Sequence, residues 1–189
     1  NVEAVSAGAV VVATGGGGQI YGRTDNPVRT TGDGYRLLLE AGASLADMEF
    51  VQYYPLGFDQ EGYPKTFIDL HVIDRMSLTN LNGERFLNRM LPAWGLKSGN
   101  DANIYARDRS AIAIAKEVRS AGPVHLHLEE LPREEWDKPN MAKLRKLCRA
   151  ASGGTDAPVR VSPIQHYFAG GARIDADGRT DLPGVFACG

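Results

Sequence analysis

The sequence predicts a mixed fold of two textures: an α/β domain contributed by both ends of the chain, interrupted by an inserted domain of α+β type. Three observations carry this reading. Apolar runs at the two ends, Ala9 to Ala13 and Val185 to Ala187, run into glycine as strands of a doubly covered parallel sheet do. The stretch between them changes character, with amphipathic helices and turn clusters in place of glycine-bounded strands. Glycine is also abundant, 22 of 189 residues and often in pairs or runs, as where a backbone must approach another group closely.

Taken in order, Val2 to Ala13 ends in a β-branched strand buried on both faces, which Thr14 to Gly18 then breaks. Tyr35 to Ala41 has apolar residues at helical spacing; Thr31 or Asp33 can cap its start and Gly42 can end it. Met48 to Tyr54 reads as a strand, and Pro55 to Lys65 as turns. Met76 to Leu81 and Glu84 to Asn88 flank Asn82-Gly83, a hairpin signal. Asn100 or Asp101 caps a helix of about Asn103 to Arg119, which Gly122-Pro123 stops. Val124 to Leu128 alternates as a strand, Asn140 to Ala151 is an amphipathic helix, and Ser152-Gly153-Gly154 is a flexible joint. Short strands follow at Val159 to Val161, Gln165 to Phe168 and Ala172 to Ile174, then an Asp177-Gly178 turn and the strand Val185 to Ala187.

Composition narrows the function. Hydrophobic residues make up 43% and charged residues 23%, which is globular. A net charge of −2 gives no electrostatic reason to expect nucleic acid. The longest apolar run, Ala9 to Ala13, is far short of the roughly 20 residues that span a bilayer. Cys148 and Cys188 form no C-x-x-C pair and read as reduced thiols of a cytoplasmic protein. An opening at Asn1 and a close on an apolar strand suggest a piece of a longer polypeptide.

Four constellations bear on chemistry. Ala13 to Gly18 joins a strand to glycines whose N–H groups can approach a phosphate or planar ring, although neither a G-x-G-x-x-G nor a P-loop register is present. Thr31-Gly32-Asp33-Gly34 stands at a helix start, where Asp33 reads first as a cap. Gln165 to Gly171 places His166 on a short strand before a glycine pair. Ala106 to Ser110 carries Arg107 and Arg109 about Asp108; alone it reads as a solvated helix face, because an arginine gives up a proton only in a dry, positively biased pocket. His125 and His127 lack a third ligand at zinc spacing, and Asp175-Ala176-Asp177-Gly178 lacks the terminal glutamate of an EF-hand loop.

Six stretches then fall in one order along nearly the whole chain: AVVVATGGGG (Ala9–Gly18), TGDGYRLLLEAGA (Thr31–Ala43), MEFVQYYPLG (Met48–Gly57), NGERFLNR (Asn82–Arg89), ARDRSAIAIAKE (Ala106–Glu117) and HYFAGG…DLPGVFACG (His166–Gly189). In this order they resemble the flavoprotein subunit family of succinate dehydrogenase, fumarate reductase and L-aspartate oxidase. The resemblance implies a partial, Rossmann-like FAD-binding domain at residues 1–55 and 156–189, interrupted by an α+β capping domain at 56–155. It implies FAD as cofactor, with Ala13, Thr14, Gly15, Gly16 and Gly17 along it and Asp33 in contact. It further implies hydride transfer between flavin and a C–C bond of a small carboxylate, with Arg107 exchanging the proton, His166 holding a substrate carboxylate and Asp69 supporting Arg107. An iron–sulfur electron-transfer subunit is an implied partner, which would put a cytoplasmic protein at the inner membrane without inserting it.

The departures from the family are specific. Tyr54-Pro55-Leu56-Gly57 stands where respiratory members have His-Pro-Thr-Gly, and Ile68-Asp69 where they have Thr-Glu. Cys188 replaces a small apolar residue, and this chain has no N-terminal dinucleotide-binding segment, covalent-flavin histidine or later C-terminal arginine. The changes at Tyr54 and Ile68 keep open a relative acting on another unsaturated or amino acid substrate. A flavin-binding or assembly module without catalysis is the alternative from another class.

Overall fold

The computed structural model describes residues 3–152 and 157–189. In chain order the elements are β1 (Val10–Val12), α1 (Asp33–Glu40), β2 (Leu45–Ala46), β3 (Val51–Phe58), β4 (Leu78–Thr79), α2 (Phe86–Met90), α3 (Gly99–Tyr105), α4 (Arg107–Ala121), β5 (Val124–Leu126), α5 (Arg133–Trp136), α6 (Ala142–Ser152), β6 (Val159–Phe168), β7 (Gly171–Ala172) and β8 (Val185–Ala187). Contacts divide the chain into one unit of Asn1–Gln52 with Gln165–Gly189 and a second of Tyr53–Ile164. The glycines expected in a joint at 153–154, and the domain boundary expected at 155/156, lie outside the described residues.

In the first unit β1 pairs in parallel with β8, Val10 opposite Val185 and Val12 opposite Ala187. The expected burial of β1 on both faces is not met: Val10 and Val11 are 51% and 64% exposed. Among the described residues β8 is its one paired strand, and a two-stranded ribbon covers little surface. Helix α1 starts at Asp33, two residues before the expected Tyr35. Neither Thr31 nor Asp33 caps it: Gly32 holds the N-cap position at φ 83°, and the Thr31 hydroxyl donates to the Asp33 carboxylate at 2.7 Å. Asp33 still favours the helix, as a negative charge in its first turn. Gly42, at φ 91°, ends the helix as expected. Strands β2 and β7 pair antiparallel, and the Asp175 carboxylate closes the following turn by accepting from the Asp177 and Arg179 N–H groups, both at 2.9 Å.

The second unit is built on a sheet of order β3-β6-β5-β4. Leu56, Phe58, Leu78, Val124, Leu126, Val159 and Val161 project from its strands into one apolar core. Leu70, Ile73, Leu87, Ile114 and Leu144 from the surrounding turns and helices close over it. Each fully buried side chain of this size contributes about 1.5–3 kcal/mol.

Several sequence expectations are corrected here. The strand expected to stop at Tyr54 continues through Pro55 to Phe58. Its last residues are buried, and that burial outweighs the turn-forming tendency of Pro55 and Gly57. The hairpin about Asn82-Gly83 does not form. The Asn80 carboxamide oxygen accepts from the Asn82 and Glu84 N–H groups, both at 3.0 Å, and Phe86 onward coils into α2; β4 pairs with β5 instead. The single helix expected over Asn103 to Arg119 is two, broken at Ala106 (φ −145°, ψ 36°). Ser98, not Asn100 or Asp101, caps α3 by accepting from the Asp101 N–H at 3.0 Å. Val124 to Leu128 is strand only to Leu126, and the two strands expected across 159–168 are one, β6. Its pairing with β5 ends at Val161, before Pro163.

Among the described residues no helix is long and apolar enough to cross a membrane. Three checks follow from the packing. A Cβ on Gly57 would lie 2.7 Å from the Ile164 Cβ and 2.8 Å from the Ser162 carbonyl oxygen, so Gly57→Ala should cost about 1–3 kcal/mol in urea denaturation. Burial pushes the Cys148 thiol up to about 11 from 9.0, while Cys188 is exposed. Iodoacetamide at pH 8 should therefore modify Cys188 and spare Cys148 until the chain unfolds. Because the folded state holds the Cys148 proton more tightly, stability should fall as pH rises from about 9 to about 11.

Candidate functional site

Beyond β1 the chain turns through Ala13 to Gly17, with Gly15 at φ 76°, a conformation that favours glycine. This loop packs on the start of α1. The Gly32 N–H donates to the Gly16 carbonyl at 3.1 Å, and a Cβ on Gly17 would lie 3.5 Å from the Gly32 Cα. A Cβ on Gly34 would overlap the Thr14 hydroxyl, so the helix start can come this near only as glycine. The Phe168 ring meets Tyr35 edge-on, with centroids 5.8 Å apart.

These loops border a cavity of about 480 Å³, lined among others by Thr14, Gly15, Gly16, Tyr35, Phe168 and Cys188. A Cβ on Gly15, which is among the lining residues, would meet no protein atom within 4 Å. The walls offer bare backbone beside a helix start and aromatic side chains, which suits a planar, phosphate-bearing cofactor such as FAD. Of the residues expected along FAD, Thr14, Gly15 and Gly16 line the cavity; Ala13, Gly17 and Asp33 lie outside its lining. Gly17 is buried behind the loop, and Asp33 is exposed on α1.

His166 belongs to the same unit. Its Nδ1 lies 2.7 Å from the Asp25 Oδ2, and its carbonyl accepts from the Asn26 carboxamide. Asp25 and Asn26 escaped the sequence reading. Asp25-Asn26-Pro27 has the composition of a turn, and its partner is 141 residues away in sequence, so no local pattern marks the pair.

Arg107 and Asp69 lie in the second unit. The break at Ala106 makes Arg107 the first residue of α4. Its Nε donates to the Asn103 carbonyl at 3.1 Å, and its guanidinium carbon lies 5.1 Å from the centroid of the Tyr54 ring, a cation–π approach. The Asn103 carboxamide accepts from the Tyr54 hydroxyl at 2.8 Å and donates to Asp69 at 3.2 Å. Asp69 also pairs with His71 at 2.8 Å. Arg107 and Asp69 thus share one network through Asn103. The i, i+4 spacing of Asn103 and Arg107 could have signalled their contact within one turn, but asparagine carries no charge to draw notice.

Tyr54 is 3% exposed, and its hydroxyl also accepts from the Leu70 N–H at 3.3 Å. Burial, reinforced by the Asp69 charge, raises its pKa above the ordinary phenol value, against the lowering pull of the Leu70 N–H and of Arg107. Tyr54 is therefore a neutral hydroxyl at working pH. Ile68 is 4% exposed and packs in the core. Among the described residues no group of three or more His, Cys, Asp or Glu could hold a metal ion.

The family profile described as FAD binding domain matches residues 1–189. L-aspartate oxidase of Streptomyces coelicolor is 38% identical over 100% of this chain and 32% of its own length. A fumarate reductase (CoM/CoB) chain of Methanothermobacter marburgensis is 34% identical over 98% of the chain and 34% of its own length. Among solved structures, a quinol-fumarate reductase with menaquinol molecules superposes with a TM-score of 0.81 at 30% identity, over 96% of this chain and 33% of the other. The chain spans about a third of the length of the relatives it matches. It belongs to the FAD binding domain family, in the branch of the fumarate reductase, succinate dehydrogenase and L-aspartate oxidase flavoproteins, whose cofactor is FAD.

Proposed function

We propose that this chain is part of a longer FAD-dependent oxidoreductase of the fumarate reductase and succinate dehydrogenase type, acting on a C–C bond of a small carboxylate. In this reading the first unit is the FAD-binding part and the second the capping part. Thr14, Gly15 and Gly16 offer backbone to the cofactor, and Tyr35 and Phe168 offer aromatic rings. Bound FAD would supply two-electron chemistry, taking up or giving a hydride.

The observation that carries the reading is the seat of Arg107, fixed between the Asn103 carbonyl and the Tyr54 ring. A guanidinium held at two points can present one N–H to a carbon beside the reacting one and move a proton there. Asp69, reached through Asn103, steadies that positive charge. His166 anchors a substrate carboxylate. The proposal is completed by an iron–sulfur electron-transfer partner, through which the protein would be stationed at the inner membrane; the quinol-fumarate reductase likeness supports it.

One observation favours a second reading, a different unsaturated substrate or an amino acid. Tyr54 presents a neutral phenol that already donates to Asn103, so this position brings no cation to a second carboxylate. Hydrogen-bonding sites discriminate sharply between such substrates.

Anaerobic mixing of the chemically reduced, full-length flavoprotein with fumarate separates the readings. Rapid reoxidation is expected of a fumarate reductase. No reoxidation, together with flavin reduction by L-aspartate, would give the second reading. Arg107→Lys keeps the charge but loses the planar fork, and should lower turnover by about 100-fold or more with flavin content unchanged. Unchanged turnover would remove Arg107 from the mechanism, and a wild type inactive with every carboxylate tried would leave a module without catalysis.

A further inference from the structure

We propose that Asp25 is the positioning residue of His166, orienting the ring and supplying the counter-charge that lets it hold an anionic group. The proposal rests on the reading of His166 as a carboxylate anchor and adds the group on which that anchor depends.

The geometry is built rather than incidental. Asp25 Oδ2 lies 2.7 Å from His166 Nδ1, and the Asp25 side chain is only 9% exposed, against 28% for His166. The two residues sit side by side on a short ladder between segments far apart in sequence. Gln165 N–H donates to the Arg23 carbonyl at 2.9 Å, and Asp25 N–H donates to the Gln165 carbonyl at 3.3 Å. Thr24 and Gln165 form a parallel bridge, which their side chains reinforce by a hydroxyl-to-carboxamide bond of 2.6 Å. The Asn26 carboxamide ties the pair from below, donating to Asp25 Oδ1 at 3.1 Å and to the His166 carbonyl. Turning the carboxylate would break its bonds to His166 Nδ1 and to the Asn26 carboxamide, and turning the ring would break the first of these.

The chemistry follows from donor and acceptor roles. A carboxylate only accepts, so the Nδ1 facing Asp25 must carry a proton. An anion held by the same ring must then be met at Nε2. In the neutral ring Nε2 would turn a lone pair toward that anion and repel it. A ring that donates from both nitrogens carries a positive charge, and the adjacent Asp25 carboxylate is the charge that balances it. Without Asp25 the ring could take the other tautomer and turn.

The test uses the full-length FAD-loaded protein, with malonate as a non-reacting dicarboxylate read by the flavin absorbance change, and fumarate for turnover. Asp25→Asn should raise the malonate Kd and the fumarate KM by about 10- to 100-fold, as loss of a charged orienting partner does. At saturation kcat should stay within about threefold and flavin content should be unchanged. Asp25→Glu should recover part of the affinity, which a merely structural role would not produce. In the wild type labelled with 15N-histidine, His166 should show a protonated Nδ1 both free and with malonate, whatever the variants do. An Asp25→Asn protein with wild-type malonate affinity, beside a His166→Gln protein that has lost it, would overturn the role of Asp25 and leave the anchor standing. Wild-type affinity in His166→Gln would overturn both, and a His166 whose Nδ1 carries no proton would overturn the role of Asp25 alone, because Nε2–H could still donate to the anion.

Discussion

Gly34 lies so near Thr14 that one added carbon would collide with the threonine hydroxyl, and much of the first unit is arranged around that contact. It brings the start of α1 against the loop that leaves β1, so N–H groups of a first helical turn and bare glycine backbone come to border one space. Gly15 and Gly32 supply the positive φ angles the approach requires, and the Gly32 to Gly16 hydrogen bond ties the two loops together. The cavity is a consequence of this approach: Tyr35 and Phe168 form its aromatic side because the helix start has been drawn in.

The second unit has a comparable point in Tyr54. A phenol buried at an edge strand needs partners for its hydroxyl, and it finds them in Asn103 on α3 and in the Leu70 N–H of the turn after Asp69. Those bonds hold the ring still, and a still ring is a surface on which the Arg107 guanidinium can rest. A change at Tyr54 would therefore disturb more than the space it occupies. It would loosen Asn103, which holds Arg107 through its carbonyl and Asp69 through its carboxamide.

What could be read in advance was periodic or local. The run at Ala9 to Ala13, the helix before Gly42 and the amphipathic stretch after Asn140 declare themselves by spacing, and the structure holds elements at each. The failures have a common cause. The Asn82-Gly83 turn looks like a hairpin until Asn80 closes it with its own side chain, accepting from the Asn82 and Glu84 N–H groups. The strand through Pro55 to Phe58 exists because tertiary burial outweighs the turn-forming tendency of proline and glycine. Thr14, Gly15 and Gly16, which line the cavity, drew notice in advance because glycine runs are conspicuous. Asp25, Asn103 and Phe168 were not, since each matters through a partner that only folding brings near or through the wall it helps to form.

The break at Ala106 makes Arg107 the opening residue of α4, where the aligned peptide dipoles already leave partial positive charge. A cation there opposes the helix by about 0.3–1 kcal/mol, and Asp108 in the same turn offsets part of that. Selection for stability alone would put an acid or a small capping residue in this place. The position therefore runs against local optimisation, and consensus stabilisation of α4 would remove the cation from its first turn.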